Sequence, residues 1–88
     1  MATLAIFYGI IVVMHSEQGS PHHKPHIHAR CSNSEVSIAL DGEVLAGSLP
    51  KRKMSLLVAW MEIHRAELED NWLLLTAGAK PFKIDPLR

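Results

Sequence analysis

Four of the six histidines of this 88-residue chain fall in one short run, His22-His23-Lys24-Pro25-His26-Ile27-His28. Imidazole is the side chain whose ordinary titration lies nearest neutral pH, so such a cluster is the densest source of chemistry in the sequence. Two chemistries fit. In the first, His22, His26 and His28 act as acid and base on a ribose–phosphate linkage, with Arg30 and Lys24 as phosphate anchors. In the second, the same three histidines give three nitrogens to a divalent transition metal, the one cofactor this pattern admits. A third reading gives the cluster no chemistry: it stabilises the fold or touches a partner. His64, on a helical stripe, is a further ligand-binding candidate if it faces the strand histidines.

Strand geometry must position these groups. Over 26–31 successive side chains alternate, so His26, His28 and Arg30 share one side and Ile27, Ala29 and Cys31 the other. Pro25 stiffens the approach by fixing its own φ and restricting Lys24. The segment 3–14 is rich in Ile, Val and Phe and apolar on both faces, which predicts one central strand. Asp41-Gly42 predicts a two-residue hairpin between strands at 35–40 and 43–47, pairing Leu40 with Glu43 and Ile38 with Leu45.

Ser48 reads as an N-cap and Pro50 as a first-turn residue of one long helix over 50–77, closed by Gly78. Met54, Leu57, Val58, Met61, Leu68, Trp72 and Leu75 make its apolar stripe. Such a helix would be roughly 40 Å long, more than a small sheet can cover, so it must kink or pack its end on another chain. Lys51, Arg52 and Lys53 stand at its start, where cations oppose the helix dipole. The tail, 80–88, reads as extended between Pro81 and Pro86. The expected fold is α+β in one domain: a small antiparallel sheet of three to four strands packed against one long C-terminal helix.

Nine basic and nine acidic residues balance, so no overall basic field draws nucleic acid, and RNA binding would need a local patch. One cysteine, Cys31, excludes an internal disulfide and points to a reducing compartment. The run 4–14 is too short to cross a bilayer and has no basic leader, so the cytoplasm is the expected location and no membrane is involved.

The run Phe7-Tyr8-Gly9-Ile10-Ile11-Val12, the segment Pro25-His26-Ile27-His28-Ala29 and the stretch from Asp41 to Pro50 resemble family 4160 of the bacterial domains of unknown function. So do the helix pieces around Trp60, His64 and Asn71-Trp72, and the tail Lys83-Ile84-Asp85-Pro86-Leu87. Ile27 stands where the family has Phe, Lys24 replaces the first residue of its Pro-Pro pair, and His15 and His23 lie outside its pattern. The resemblance implies His22, His26 and His28 as the matching positions. It also implies one half of a two-gene toxin–antitoxin-type module, with the product of a neighbouring gene as partner. The expected role is the toxin-like half, acting on or binding RNA. A non-enzymatic interaction module and a metal-binding domain are the alternatives, and a second copy of the chain is a further candidate partner.

Overall fold

A computed structural model describes residues 2–15 and 24–88. Five strands, β1 (Ala2–Phe7), β2 (Ile10–Met14), β3 (His26–Cys31), β4 (Ser34–Ala39) and β5 (Val44–Ser48), form one antiparallel sheet in chain order. Two helices follow, α1 (Lys51–Ile63) and α2 (Arg65–Thr76). The fold is α+β, with five strands rather than three to four.

The extra strand comes from 3–14, which is a hairpin and not one strand. Tyr8 and Gly9 both take positive φ, 48° and 78°, and Phe7 pairs with Ile10. Two successive left-handed residues give the tight turn whose twist suits paired strands. The Asp41-Gly42 hairpin is wider than two residues. Ile38 pairs with Val44 and Ser37 with Ala46, so Leu45 is an inserted residue and the predicted partners slip. The Asp41 carboxylate accepts the Glu43 N–H (3.0 Å), and Gly42 N–H bonds the Ala39 carbonyl (2.9 Å), which closes this longer loop.

The long helix expected over 50–77 is interrupted, the first of the two alternatives its length left open, and divides into α1 and α2 at His64. At His64 the backbone leaves helical angles (φ −109°, ψ 25°), while its N–H still bonds the Trp60 carbonyl and its carbonyl still takes the Leu68 N–H. The ring Nδ1–H donates to Glu67 Oε1 at 2.6 Å, which fixes the junction from the side-chain level. The interruption falls between the buried Trp60 and Met61 of α1 and the buried Leu68 of α2, which belong to one core. Pro50, not Ser48, precedes the first helical residue, and no side chain caps α1; Ser48 ends β5 instead.

One sheet face carries Ile10, Val12, Met14, Ile27, Ala29, Val36 and Ile38, and with Leu57, Trp60 and Met61 of α1 and Leu68 of α2 these form the core. The tail, read as extended, joins no strand ladder among the described residues. It is pinned by Ile84 N–H to the Leu4 carbonyl (2.9 Å), Trp60 Nε1–H to the Asp85 carbonyl (2.8 Å) and a two-way bond between Asn71 and the Phe82 backbone. Among the described residues no helix is long and apolar enough to cross a membrane.

Candidate functional site

The second sheet face is built by cross-strand pairs, because residues opposite each other in a ladder point the same way. Val13 pairs with His28, His28 with Ser37, and His26 with Ala39. Alternation carries the same face to His15 beyond β2 and to Arg30 further along β3. His26 and His28 therefore do meet: their rings lie edge to face, centroids 5.1 Å apart. His15 stacks on His28 at 4.5 Å with planes within 9°. The Ser37 hydroxyl and His28 Nδ1 are 3.0 Å apart.

Burial grades along this face. His26 is 3 % exposed and donates its Nδ1–H to the Lys24 carbonyl at 2.7 Å, the only direction a carbonyl permits. His28 is partly buried, and Arg30 is exposed. His22 and His23 lie outside the described residues. His64 contributes elsewhere: its ring packs on Trp60, centroids 5.6 Å apart. The helix residue that reaches the strand histidines is Trp72, whose ring lies 5.4 Å from His26.

Imidazole lone pairs lie in the ring plane, so the nearly parallel rings of His15 and His28 do not converge on one ion at the roughly 2.0–2.1 Å that zinc requires. The edge-to-face rings of His26 and His28 carry no such bar, and His22, the third candidate ligand, lies outside the described residues. Among the described residues no three His, Cys, Asp or Glu side chains are grouped to hold a metal.

Beyond Trp72 the molecule opens into a cleft of about 390 Å³ between the β4–β5 turn and α2. Pro25, Ala39, Leu40, Trp72 and Leu73 give it apolar walls, and Lys24, Asp41, Arg65 and Glu69 ring its mouth. Lys24 is committed to that rim, bonding Asp41 Oδ2 (2.8 Å) and Glu43 Oε1 (2.9 Å). Arg65 is held more loosely, 3.5 Å from Glu69 and 4.0 Å from Glu62.

The Lys24 bridge gives the rim a defined pH response. The Asp41 hydrogen bond, then that of Glu43, raises the Lys24 ammonium above its ordinary 10.5. The Lys24 hydrogen bond, then the Glu43 N–H, lowers the Asp41 carboxyl below its ordinary 3.8. A depressed carboxyl stabilises the fold above its unfolded value and loses that contribution as pH falls through the folded one; a raised ammonium does so in the opposite sense at alkaline pH. Urea midpoints of wild type and Asp41→Asn should therefore differ at neutral pH and converge as pH drops below 3.8. A gap that persists in acid would show that Asp41 acts through its turn geometry alone. Since all three side chains are exposed, the gap is expected to be small.

Sequence reasoning missed His15, Ser37 and the cleft. The first two follow once β2 is set against β3, since His15 continues the alternation from Val13. No local pattern foretells the cleft, which joins residues near 24, 40 and 70.

No curated protein and no solved structure matches the chain. A family model described as a domain of unknown function, DUF4160, matches residues 9–73, a span that holds β2 to β5, the histidine strand, α1 and most of α2. The chain belongs to the DUF4160 family.

Proposed function

We propose that the chain is a non-enzymatic protein-binding subunit, one half of a two-gene toxin–antitoxin-type module, and that it grips the neighbouring gene's product through the cleft at Trp72. The cleft carries this reading. It has the make-up of a recognition pocket, apolar walls with a few charged groups at the mouth. Leu73 on its lip is 66 % exposed, a large apolar side chain placed where a partner would cover it. Arg65, loosely paired, is available to a partner carboxylate, and arginine is among the side chains that most often dominate interfaces. The histidines then act as the support behind the pocket: His26, nearly buried, backs Trp72 and fixes the Lys24 backbone.

The test is affinity for the purified product of the neighbouring gene. Leu73→Glu should weaken binding about 30-fold or more, the effect of losing one interface anchor worth about 2 kcal/mol, and Arg65→Ala should weaken it in the same direction. Both sites are exposed, so the fold should survive, and circular dichroism checks that. Equal affinities for wild type and Leu73→Glu would retire the reading. The RNA-cleaving alternative draws on the partly buried His28 and exposed Arg30, which share one strand face. Degradation of cellular RNA by wild type, lost in His28→Ala, would put that alternative in its place.

A further inference from the structure

α1 leaves one flank uncovered, and that flank is self-complementary. Leu57, Trp60 and Met61 turn inward and are buried. About a third of a turn away, Lys51, Met54, Ser55, Val58 and Glu62 fall at three- and four-residue steps along a single stripe. An open groove of about 600 Å³ runs beside them, lined by Leu49, Lys51, Met54, Ser55, Val58 and Ala59. Val58 is 39 % exposed, a branched apolar ridge next to the small side chains of Ser55 and Ala59.

Charge says what fits there. The stripe is basic where α1 begins, at Lys51, and acidic where it ends, at Glu62. The first turn of α1 holds no acidic residue, and its three cations, Lys51, Arg52 and Lys53, stand against the positive end of the helix dipole. Among the described residues Lys53 alone of the three meets a hydrogen-bond acceptor, the Tyr8 carbonyl. An identical stripe run in the opposite direction answers all of this at once. Lys51 of each helix meets Glu62 of the other, the two dipoles oppose, and Val58 of each copy seats against Ser55 and Ala59 of the other.

We propose that α1 is the contact of a twofold homodimer, packed antiparallel on α1 of a second copy with Val58 of each facing Ser55 of the other. Such an arrangement is isologous, as closed dimers require. A three-turn helix pair buries less than a standard interface, so the dimer should be weak and its population concentration-dependent. The surface shares no lining residue with the Trp72 cleft, and the proposal stands whether or not that cleft binds a partner.

Sedimentation and light scattering of the untagged full chain test it. With rising concentration the mass should climb from 9.8 kDa toward twice that value. Val58→Asp should hold it at the monomer value with unchanged circular dichroism. Lys51→Glu alone should also give monomer, because it sets like charges opposite each other at both ends. Adding Glu62→Lys to it should bring the dimer back, which a merely structural role for Lys51 would not do. A wild-type chain that stays monomeric at all concentrations, or a dimer indifferent to Val58→Asp, overturns the proposal, as does a double charge swap that remains monomeric.

Discussion

Trp60→Ala is expected to cost about 3–5 kcal/mol, the range for deleting a buried aromatic side chain. Small domains are stable by only about 5–15 kcal/mol, and one of 88 residues belongs near the lower end. The variant should then be partly unfolded at ambient temperature. Three separate losses meet at this residue. Trp60 is fully buried and central to the core. Its ring packs on Phe7 of β1 with centroids 5.2 Å apart, tying α1 to the far edge of the sheet. Its Nε1–H is the donor that holds the Asp85 carbonyl, and so the tail. Trp60→Phe separates these roles. It keeps most of the apolar contact and removes the donor, so the loss should shrink to about 1–3 kcal/mol, the cost of one unmade buried bond with some lost packing. Hydrogen exchange at the Ile84 amide, which bonds the Leu4 carbonyl, reads the tail directly. Exchange there should speed up more in Trp60→Phe than the global stability change explains. Equal protection in both proteins would mean that Asn71, not Trp60, anchors the tail.

What the sequence made legible was local. The alternation in 26–31 puts His26 and His28 on one side, and they do sit edge to face. Aspartate and glycine at 41 and 42 mark a turn whatever their neighbours are. The run 3–14 misleads because Tyr8 is a bulky residue in a left-handed conformation, which sequence statistics disfavour, inside an unbroken apolar stretch. Only the pairing of Phe7 with Ile10 reveals that two strands are needed. His64 misleads for a similar reason. Nothing about a lone histidine between Ile63 and Arg65 breaks a helical pattern; the helix length called for an interruption without saying where it would fall. The candidate site divides along the same line. Side chains placed by period two were foreseeable, whereas Trp72 over His26 and the cleft beyond it depend on where α2 comes to rest.

Gly47→Ala should destabilise by about 2–5 kcal/mol, combining the cost of a left-handed non-glycine residue with that of forcing an atom into packed surroundings. Gly47 lies in β5 at φ +72°, opposite Val36. A Cβ built there would come within 2.2 Å of the Glu35 carbonyl oxygen, which is backbone and cannot swing aside. Relief requires β4 and β5 to part where Glu35 faces Ser48 and Val36 faces Gly47. Leu49, buried just beyond, would move with them and disturb the entry to α1. Gly42→Ala supplies the control. Gly42 also has positive φ, +98°, yet nothing lies within 4 Å of where its Cβ would be. Its substitution should therefore cost only the conformational share, about 1–2 kcal/mol. Urea midpoints of the two variants, measured side by side, separate backbone conformation from collision. Equal losses would mean that the β4–β5 contact yields freely at Gly47, and that β5 is held less by its ladder than by the Leu49 side chain anchored in the core.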